Sequence, residues 1–273
     1  MGKFKNKKVL ITGGASGIGR IMGAMALEKG ASALVIWDIN RANIDDTLKE
    51  LSVKGKVVGY CIDISDEATV VETAKRVKAE IGEMDIVINC AGIITGNKTF
   101  DRCDTTEIHC TMNINTIAPM VVALQFLPDM IARNSGHICN ISSAGGLISN
   151  PKMSVYAASK WAVIGWSDSV RIELEQMKSK VRVTTIAPYY IKTGMFEGVK
   201  SPIVPIMKPE YAARQIIRAI ERNKIMMVVT KLIPFPYHFV RLMQGVLPIK
   251  FFDWFFGQVF GIYHSMDNFT GKK

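Results

Sequence analysis

Thr12-Gly13-Gly14-Ala15-Ser16-Gly17-Ile18-Gly19 closes the first apolar run, Val9–Thr12, and opens a helical pattern over 17–29. A glycine-rich turn between a strand and a helix lets backbone N–H groups approach a pyrophosphate, and the helix N-terminus adds free donors and a favourable dipole. The glycines stand as G-x-x-x-G-x-G, at Gly13, Gly17 and Gly19, rather than G-x-G-x-x-G. Glycines alone could merely close a tight loop. Their place, directly after the first strand and before the first helix, favours the phosphate reading.

The rest of the chain repeats that alternation. Val9–Thr12, Ala33–Trp37, Val57–Cys61, Ile86–Asn89, His137–Ile141, Val181–Ile186 and Ile225–Val229 read as strands, short and apolar on both faces as buried parallel strands are. Helical patterns lie near 17–29, 41–53, 66–81, 105–131, 153–178 and 209–222, with Pro119 expected to bend the fourth and Pro209 to sit in a first turn. Alternating strands and helices predict an α/β fold, a doubly wound parallel sheet of about seven strands with helices on both faces. Residues 1–230 form one such domain in this reading, and 231–273 an aromatic-rich C-terminal extension.

Composition narrows the class. The 273 residues are 48% hydrophobic, ample for a packed core and against intrinsic disorder. The net charge of +10 would suit an anionic partner, yet no Lys/Arg run exceeds the pairs Lys7-Lys8 and Lys272-Lys273, so a merely basic enzyme is expected and no nucleic acid. Cys61, Cys90, Cys103, Cys110 and Cys139 show no C-x2-C pair, and Met1–Lys8 runs directly into the first strand with no signal-like apolar h-region; reduced thiols, a cytoplasmic setting and no signal peptide are expected. His109, His137, His238 and His264 have no metal-ligand spacing, and no metal is expected. No stretch reaches 18 uninterrupted apolar residues.

Two groups of residues carry chemistry. The second strand runs into Asp38, about 20 residues past the glycines, where a carboxylate can accept from an adenosine ribose and repel a 2′-phosphate. NAD(H) is therefore favoured, while Arg41 keeps NADP(H) open. Asp63, just past the third strand, is placed near an adenine edge. Tyr156 and Lys160 stand at i and i+4, on one face of a helix, and Ser143 precedes them after the fifth strand. A tyrosine has a pKa near 10 and needs a shift of about 3 units, roughly 4 kcal/mol, to act as a base at pH 7. A lysine ammonium about 4 Å away supplies that order at an effective dielectric of about 20.

These residues together resemble the short-chain dehydrogenase/reductase family. Thr12–Gly19 matches T-G-x-x-x-G-x-G, Asn89-Cys90-Ala91-Gly92 nearly matches N-N-A-G, Asn115 and Ser143 fall in order, and Tyr156/Lys160 matches Y-x-x-x-K. The likeness covers 5 to about 230. It implies a Rossmann-type fold and an alcohol dehydrogenase or ketone reductase. In that pattern Tyr156 moves the proton, Lys160 assists it and bonds the nicotinamide ribose, Ser143 holds the substrate oxygen, and Asn115 supports a relay water. It also implies cofactor contacts at Gly13, Ser16, Gly17, Ile18, Gly19, Asp38, Asp63, Ile64, Asn89, Ala91, Gly92, Tyr156, Lys160, Pro188, Ile191 and Thr193, and assembly as a homodimer or homotetramer. Two departures stand out: Cys90 replaces the second asparagine, and Pro188-Tyr189-Tyr190 replaces Pro-Gly, so that Tyr189 could narrow the nicotinamide pocket or line the substrate site.

The stretch 235–273 holds 11 of the 23 aromatic residues, densest at Phe251-Phe252-Asp253-Trp254-Phe255-Phe256. Pro234, Pro236 and Pro248 break it into pieces too short to span a bilayer. A membrane-surface anchor, a wall of the substrate site and an oligomer interface all fit this composition. The ending His264–Phe269 is similar to one branch of the family, retinol and 17-beta-hydroxysteroid dehydrogenases, which implies an apolar alcohol or ketone substrate. The segment 190–208, with Gly194, Gly198, Pro202 and Pro205, reads as a lid beside it. An NADP(H)-dependent carbonyl reductase of another small substrate and a membrane-associated, non-catalytic nucleotide-binding protein are the competing readings.

Overall fold

The structure is a computed structural model and describes residues 3–95, 97–201, 204–231, 237–259, 262–267 and 269. Pro202, Pro234 and Pro236 lie outside the described residues, as do the side chains of His238 and Phe256. Seven strands, β1 (Lys8–Thr12), β2 (Ala33–Asp38), β3 (Val57–Cys61), β4 (Ile86–Asn89), β5 (His137–Ile141), β6 (Arg182–Pro188) and β7 (Met226–Val229), form one sheet in the order β3-β2-β1-β4-β5-β6-β7. Every pairing is parallel. The order reverses between β1 and β4, and ligands in such sheets bind at that switch point, beyond the carboxyl ends of the strands.

Strand side chains alternate between two cores, as the two-residue period of a strand requires. Val9 and Ile11, Leu34 and Ile36, and Ile86 and Ile88 face helices α1 (Gly17–Glu28), α2 (Arg41–Leu51) and α7 (Pro209–Glu221). Leu10, Val35, Trp37 and Val87 face α3 (Glu67–Glu80), α5 (Ala118–Ala132) and α6 (Ser154–Gln176). Trp37 meets Phe126 of α5 with ring centroids 6.0 Å apart. Each fully buried side chain of this size contributes roughly 1.5–3 kcal/mol.

Local chemistry sets the helix ends. Asn40 accepts from Asn43 N at 3.0 Å and starts α2, while Asp66 accepts from Ala68 N and Thr69 N at 3.0 and 3.3 Å and starts α3. Asp104 and Glu107 form a reciprocal capping box on α4 (Thr105–Met112). Pro209 occupies the first turn of α7, where its missing N–H costs nothing.

The long pattern over 105–131 departs from the expected simple bend. α4 and α5 are joined by a π-helical turn, Asn113–Ile117, and Pro119 sits in the first turn of α5. The expected proline bend is replaced by a bulge: Ala118 N bonds Asn113 O, five residues back. Thr105–Ala132 is long and apolar enough to cross a membrane by length and composition. Its Val122, Ala123, Phe126 and Met130 are buried against the sheet, which makes it a core element of this fold.

Beyond β7 lie α8 (Tyr237–Val246), α9 (Ile249–Phe252) and a π turn over Asp253–Val259. Phe252 is the anchor of this region, buried with Ile148, Met243, Leu247 and Phe255 around it. Gln244 also donates to the Leu147 carbonyl, so the segment rests on the loop after β5. Outward, Leu242, Val246, Ile249, Phe251, Trp254 and Val259 are exposed.

Candidate active site

The glycine turn meets the loop after β4 face to face. Gly13 has φ +64°, and a Cβ there would stand 2.9 Å from Ala91 Cα. A Cβ on Gly19 would collide with the Gly13 carbonyl oxygen, so helix α1 can start this close to β1 only with glycine. Thr12 Oγ1 accepts from Cys90 N and Ala91 N at 3.1 and 3.2 Å, which ties the two loops together. Ser16 is the first residue before α1 and makes no side-chain cap, so its hydroxyl does not occupy the N–H groups of Gly17, Ile18 and Gly19. The Thr193 methyl carbon approaches Gly17 from the opposite loop.

Asp38 ends β2 beside that turn. Its carboxylate accepts from Ala15 N and Asn40 N, both at 3.1 Å, which fixes it at the mouth of the turn. Arg41 turns away and pairs with Asp45 at 3.2 Å. Arg20 pairs with Glu50. Asp63 is exposed and accepts from Ser65 N and Oγ at 2.9 and 2.7 Å; Ile64 beside it is buried. These positions place uncapped backbone donors and a fixed carboxylate side by side. The cradle that a Cβ would fill, the uncapped helix start and the oriented Asp38 fit a dinucleotide.

Ser143, Tyr156 and Lys160 converge at the carboxyl ends of β5 and β6. Ser143 Oγ accepts from Gly145 N at 3.1 Å, which leaves its hydroxyl hydrogen to bond the Tyr156 oxygen. Lys160 Nζ donates to the Ile141 carbonyl at 3.1 Å and lies 5.7 Å from the Tyr156 ring centre. Gly92 faces the same ammonium; a Cβ there would come within 3.3 Å of Lys160 Nζ and 3.1 Å of Asn115 Oδ1. Helix α6 is held in this register from below. Ser142 Oγ donates to the Lys160 carbonyl at 2.8 Å, and Ser159 Oγ to the Tyr156 carbonyl at 2.7 Å.

The electrostatics correct one expectation. Burial pushes the Tyr156 phenol up to about 12, and the Ser143 hydrogen bond opposes it. Burial also pushes the Lys160 ammonium down to about 8. Lys160 therefore does not by itself draw the phenol toward neutrality: burial dominates Tyr156, and what opposes it is the Ser143 hydrogen bond. Cys90 lies in the same region, and burial pushes its thiol up to about 12, away from thiolate chemistry.

Asn115 sits in the π turn. Its side chain is consumed by the chain itself: Oδ1 accepts from Ile93 N at 2.8 Å, and Nδ2 donates to Ile93 O at 2.9 Å and Ser159 Oγ at 3.1 Å. Pro119, four residues on, has no N–H, so the Asn115 carbonyl has no α-helical donor. Asn89 faces inward, donating to Asn140 Oδ1 at 2.8 Å and Pro119 O at 3.3 Å. Pro188 ends β6, and Ile191 is buried and bridges Met207.

The model of the family described as short chain dehydrogenase matches residues 7–203. The chain belongs to this family. It is an oxidoreductase fold with dehydrogenase relatives. "Epidermal retinol dehydrogenase 2" of Mus musculus is 38% identical over 271 residues, covering 97% of this chain and 85% of that protein. "Estradiol 17-beta-dehydrogenase 11" of Pongo abelii is 32% identical over 245 residues, covering 89% and 80%. Among solved structures, a short chain dehydrogenase/reductase from Burkholderia phymatum, in complex with NAD, superposes with a TM-score of 0.76 at 23% identity, covering 84% of this chain and 90% of that one. That likeness carries the Rossmann-type fold.

Within the family pattern, sequence reasoning missed a wall of this site. Tyr190 joins Tyr189 there: Tyr189 packs against the cluster that holds Tyr156, and Phe196 stands between Tyr190 and Tyr156, with centroids 5.2 and 6.5 Å away. The Tyr189 hydroxyl bonds Ser201 Oγ at 2.8 Å. Met153, Val199 and Met266 complete an apolar cluster with Tyr156 and Tyr190. The signal for this wall was weak, since single aromatic and methionine residues far apart in sequence have no spacing to read.

Proposed function

We propose that this oxidoreductase interconverts an apolar alcohol and its carbonyl with NAD(H), with Tyr156 as general acid and base. The observation that carries the reading is the convergence of the Ser143 hydroxyl, the Tyr156 hydroxyl and the Lys160 ammonium beneath an apolar wall. Relatives named retinol and estradiol dehydrogenases support a retinoid-, steroid- or fatty-type alcohol as substrate. The NAD in the Burkholderia phymatum complex, together with Asp38 at the ribose end and Arg41 engaged elsewhere, supports NAD(H) over NADP(H).

A bound dinucleotide supplies hydride exchange with the substrate carbon. The Gly13–Gly19 turn and the start of α1 would hold its pyrophosphate, Asp38 its adenosine ribose, Asp63 and Ile64 its adenine edge, and Asn89, Ala91, Gly92, Pro188, Ile191 and Thr193 the nicotinamide side. Ser143 Oγ holds the substrate oxygen. In reduction the Tyr156 hydroxyl gives its proton to that oxygen; in oxidation the phenolate takes the proton from the alcohol. Lys160 stabilises the phenolate and bonds the nicotinamide ribose, and the Asn115 carbonyl holds a water that resupplies the proton.

A row of exposed apolar side chains, Leu242, Val246, Ile249, Phe251, Trp254 and Val259, supports peripheral attachment of this cytoplasmic enzyme to a membrane surface. Exposed Leu124, Trp161 and Ile172 on α5 and α6 support homo-oligomerisation. The extension from 231 onward serves as an appendage of the 1–230 domain. A panel of retinoids, steroids and fatty alcohols, followed by NADH absorbance, tests the substrate class. Turnover of a member with NAD supports it, and no turnover of any member with either dinucleotide rejects it.

A further inference from the structure

The turn Ser265-Met266-Asp267 is more than 100 residues past Lys160, the last proposed catalytic side chain, yet it is built into the site. Met266 is fully buried, in one cluster with Met153, Tyr156, Tyr190 and Val199. Its backbone and neighbours reach three separate loops. The Met266 carbonyl accepts from Asn97 Nδ2 at 2.6 Å, in the loop after β4. The Ser265 carbonyl accepts from Lys200 N at 3.1 Å, and Ser265 Oγ bonds the Tyr190 hydroxyl at 2.8 Å, both in the loop after β6. Asn150 Nδ2, ahead of α6, donates to the same Ser265 Oγ at 3.3 Å and to the Tyr190 oxygen at 3.1 Å. Asp267 pairs with Lys152 at 2.8 Å and His264 at 3.2 Å on the outer side.

We infer that Ser265-Met266-Asp267 is a latch that fixes the loop 190–201 against the start of α6, and that Met266 is a specificity-determining side chain of the substrate site. The second half rests on the alcohol-dehydrogenase reading; the first does not. Three physical points support it. Asn150, Tyr190 and Ser265 form a buried triad closed by three mutual hydrogen bonds, and losing one of these at this depth is costly. The loop 190–201 has little regular structure of its own, a short 3-10 turn at Gly194–Phe196 and a bridge from Ile191 to Met207. Its position therefore depends on what it is tied to. And the loop carries Thr193, which faces Gly17, and Phe196, which stands edge-on to Tyr156. Releasing the tail would loosen the dinucleotide side and the substrate side at once. Shortening Met266 would open volume in the apolar cluster that holds Tyr156 without touching a proton-carrying group.

Hydrogen exchange on the full chain tests the latch without any need for turnover. In Ser265→Ala, and in the surface variant Lys152→Gln as a milder release, the amides of 190–201 should exchange at least about tenfold faster, while those of β1 and β4 stay at wild-type rates. Unchanged exchange at 190–201 in Ser265→Ala would overturn the latch. Faster exchange everywhere would overturn it too, since it would show a tail that merely stabilises the whole fold. For specificity, Met266→Ala and Met266→Phe are compared on a small and a bulky apolar alcohol. The ratio of kcat/KM for bulky over small should rise about tenfold in the first and fall in the second. Equal losses on both substrates would assign Met266 a structural role only. If the wild type turns over no alcohol, the functional reading fails while the exchange result still judges the latch.

Discussion

Lys160 Nζ lies 5.7 Å from the centre of the Tyr156 ring and spends a hydrogen bond on the Ile141 carbonyl at 3.1 Å. The two side chains share a helix face but do not pair directly. Burial moves them in opposite directions, the phenol up to about 12 and the ammonium down to about 8. The protein alone thus stores a neutral tyrosine. In the proposed reaction, activation of that tyrosine depends on positive charge arriving with the oxidised nicotinamide.

The buried ammonium makes stability depend on alkaline pH. The folded pKa of Lys160, about 8, lies below the unfolded value of 10.5, so between these pH values the unfolded chain binds more protons and stability rises with pH. Relative to Lys160→Met, the wild type should gain stability from pH 7.5 to 10, by at most on the order of 3 kcal/mol. Denaturant titrations of both proteins across that range measure it. A constant difference would show that Lys160 keeps an ordinary pKa.

Acid should act through His137. Its Nε2 meets Thr184 Oγ1 at 2.7 Å, and that hydroxyl donates onward to Lys224 O, so Nε2 carries the proton. Burial, then Lys3 and Arg182, push its pKa down to about 3. The unfolded histidine binds a proton near 6.5, so the stability tied to its neutral form is lost as pH falls from 6.5 toward 3. His137→Gln should flatten that slope in acid denaturation; an unaltered slope would assign the acid sensitivity elsewhere.

Asp38 should set dinucleotide choice. A carboxylate and a 2′-phosphate about 4 Å apart repel by about 4 kcal/mol at an effective dielectric of 20. Steady-state kinetics should show kcat/KM at least about tenfold higher with NADH than with NADPH, and Asp38→Asn should narrow the gap. A higher value with NADPH in the wild type would assign the phosphate to Arg41 or Arg20.

The exposed apolar row should hold the protein on bilayers. Replacing Ile249, Phe251 and Trp254 by Ser removes three large side chains without touching buried Phe252. Flotation with anionic vesicles should carry the wild type and lose the variant. Flotation of both would place the contact elsewhere, and a variant that instead falls to a smaller oligomer would make this row a subunit interface.

The sheet was legible because its strands are apolar runs of four to seven residues separated by turn chemistry, and α2, α3, α4, α5 and α7 each begin at a capping side chain or a proline. The proximity of the two candidate catalytic residues was legible for a different reason: Tyr156 and Lys160 are one helical turn apart, so spacing alone puts them together. What stayed hidden depends on long-range packing. The π turn around Asn115 comes from Pro119 and the clamp on Ile93, and α-helical periodicity passes through it unnoticed. Tyr190, Asn150 and Ser265 meet from three loops separated by 40 to 115 residues. The rise in the Tyr156 pKa is a burial effect that i,i+4 spacing does not contain.

Tyr156→Phe gives the most direct measurement. It removes one hydroxyl and leaves the ring beside Phe196. With proton transfer through that oxygen, kcat should fall by about 10²- to 10⁴-fold, while NADH binding, followed by fluorescence titration, stays within about twofold of wild type. Turnover within about tenfold of wild type, at unchanged NADH affinity, would contradict Tyr156 as the group that moves the proton.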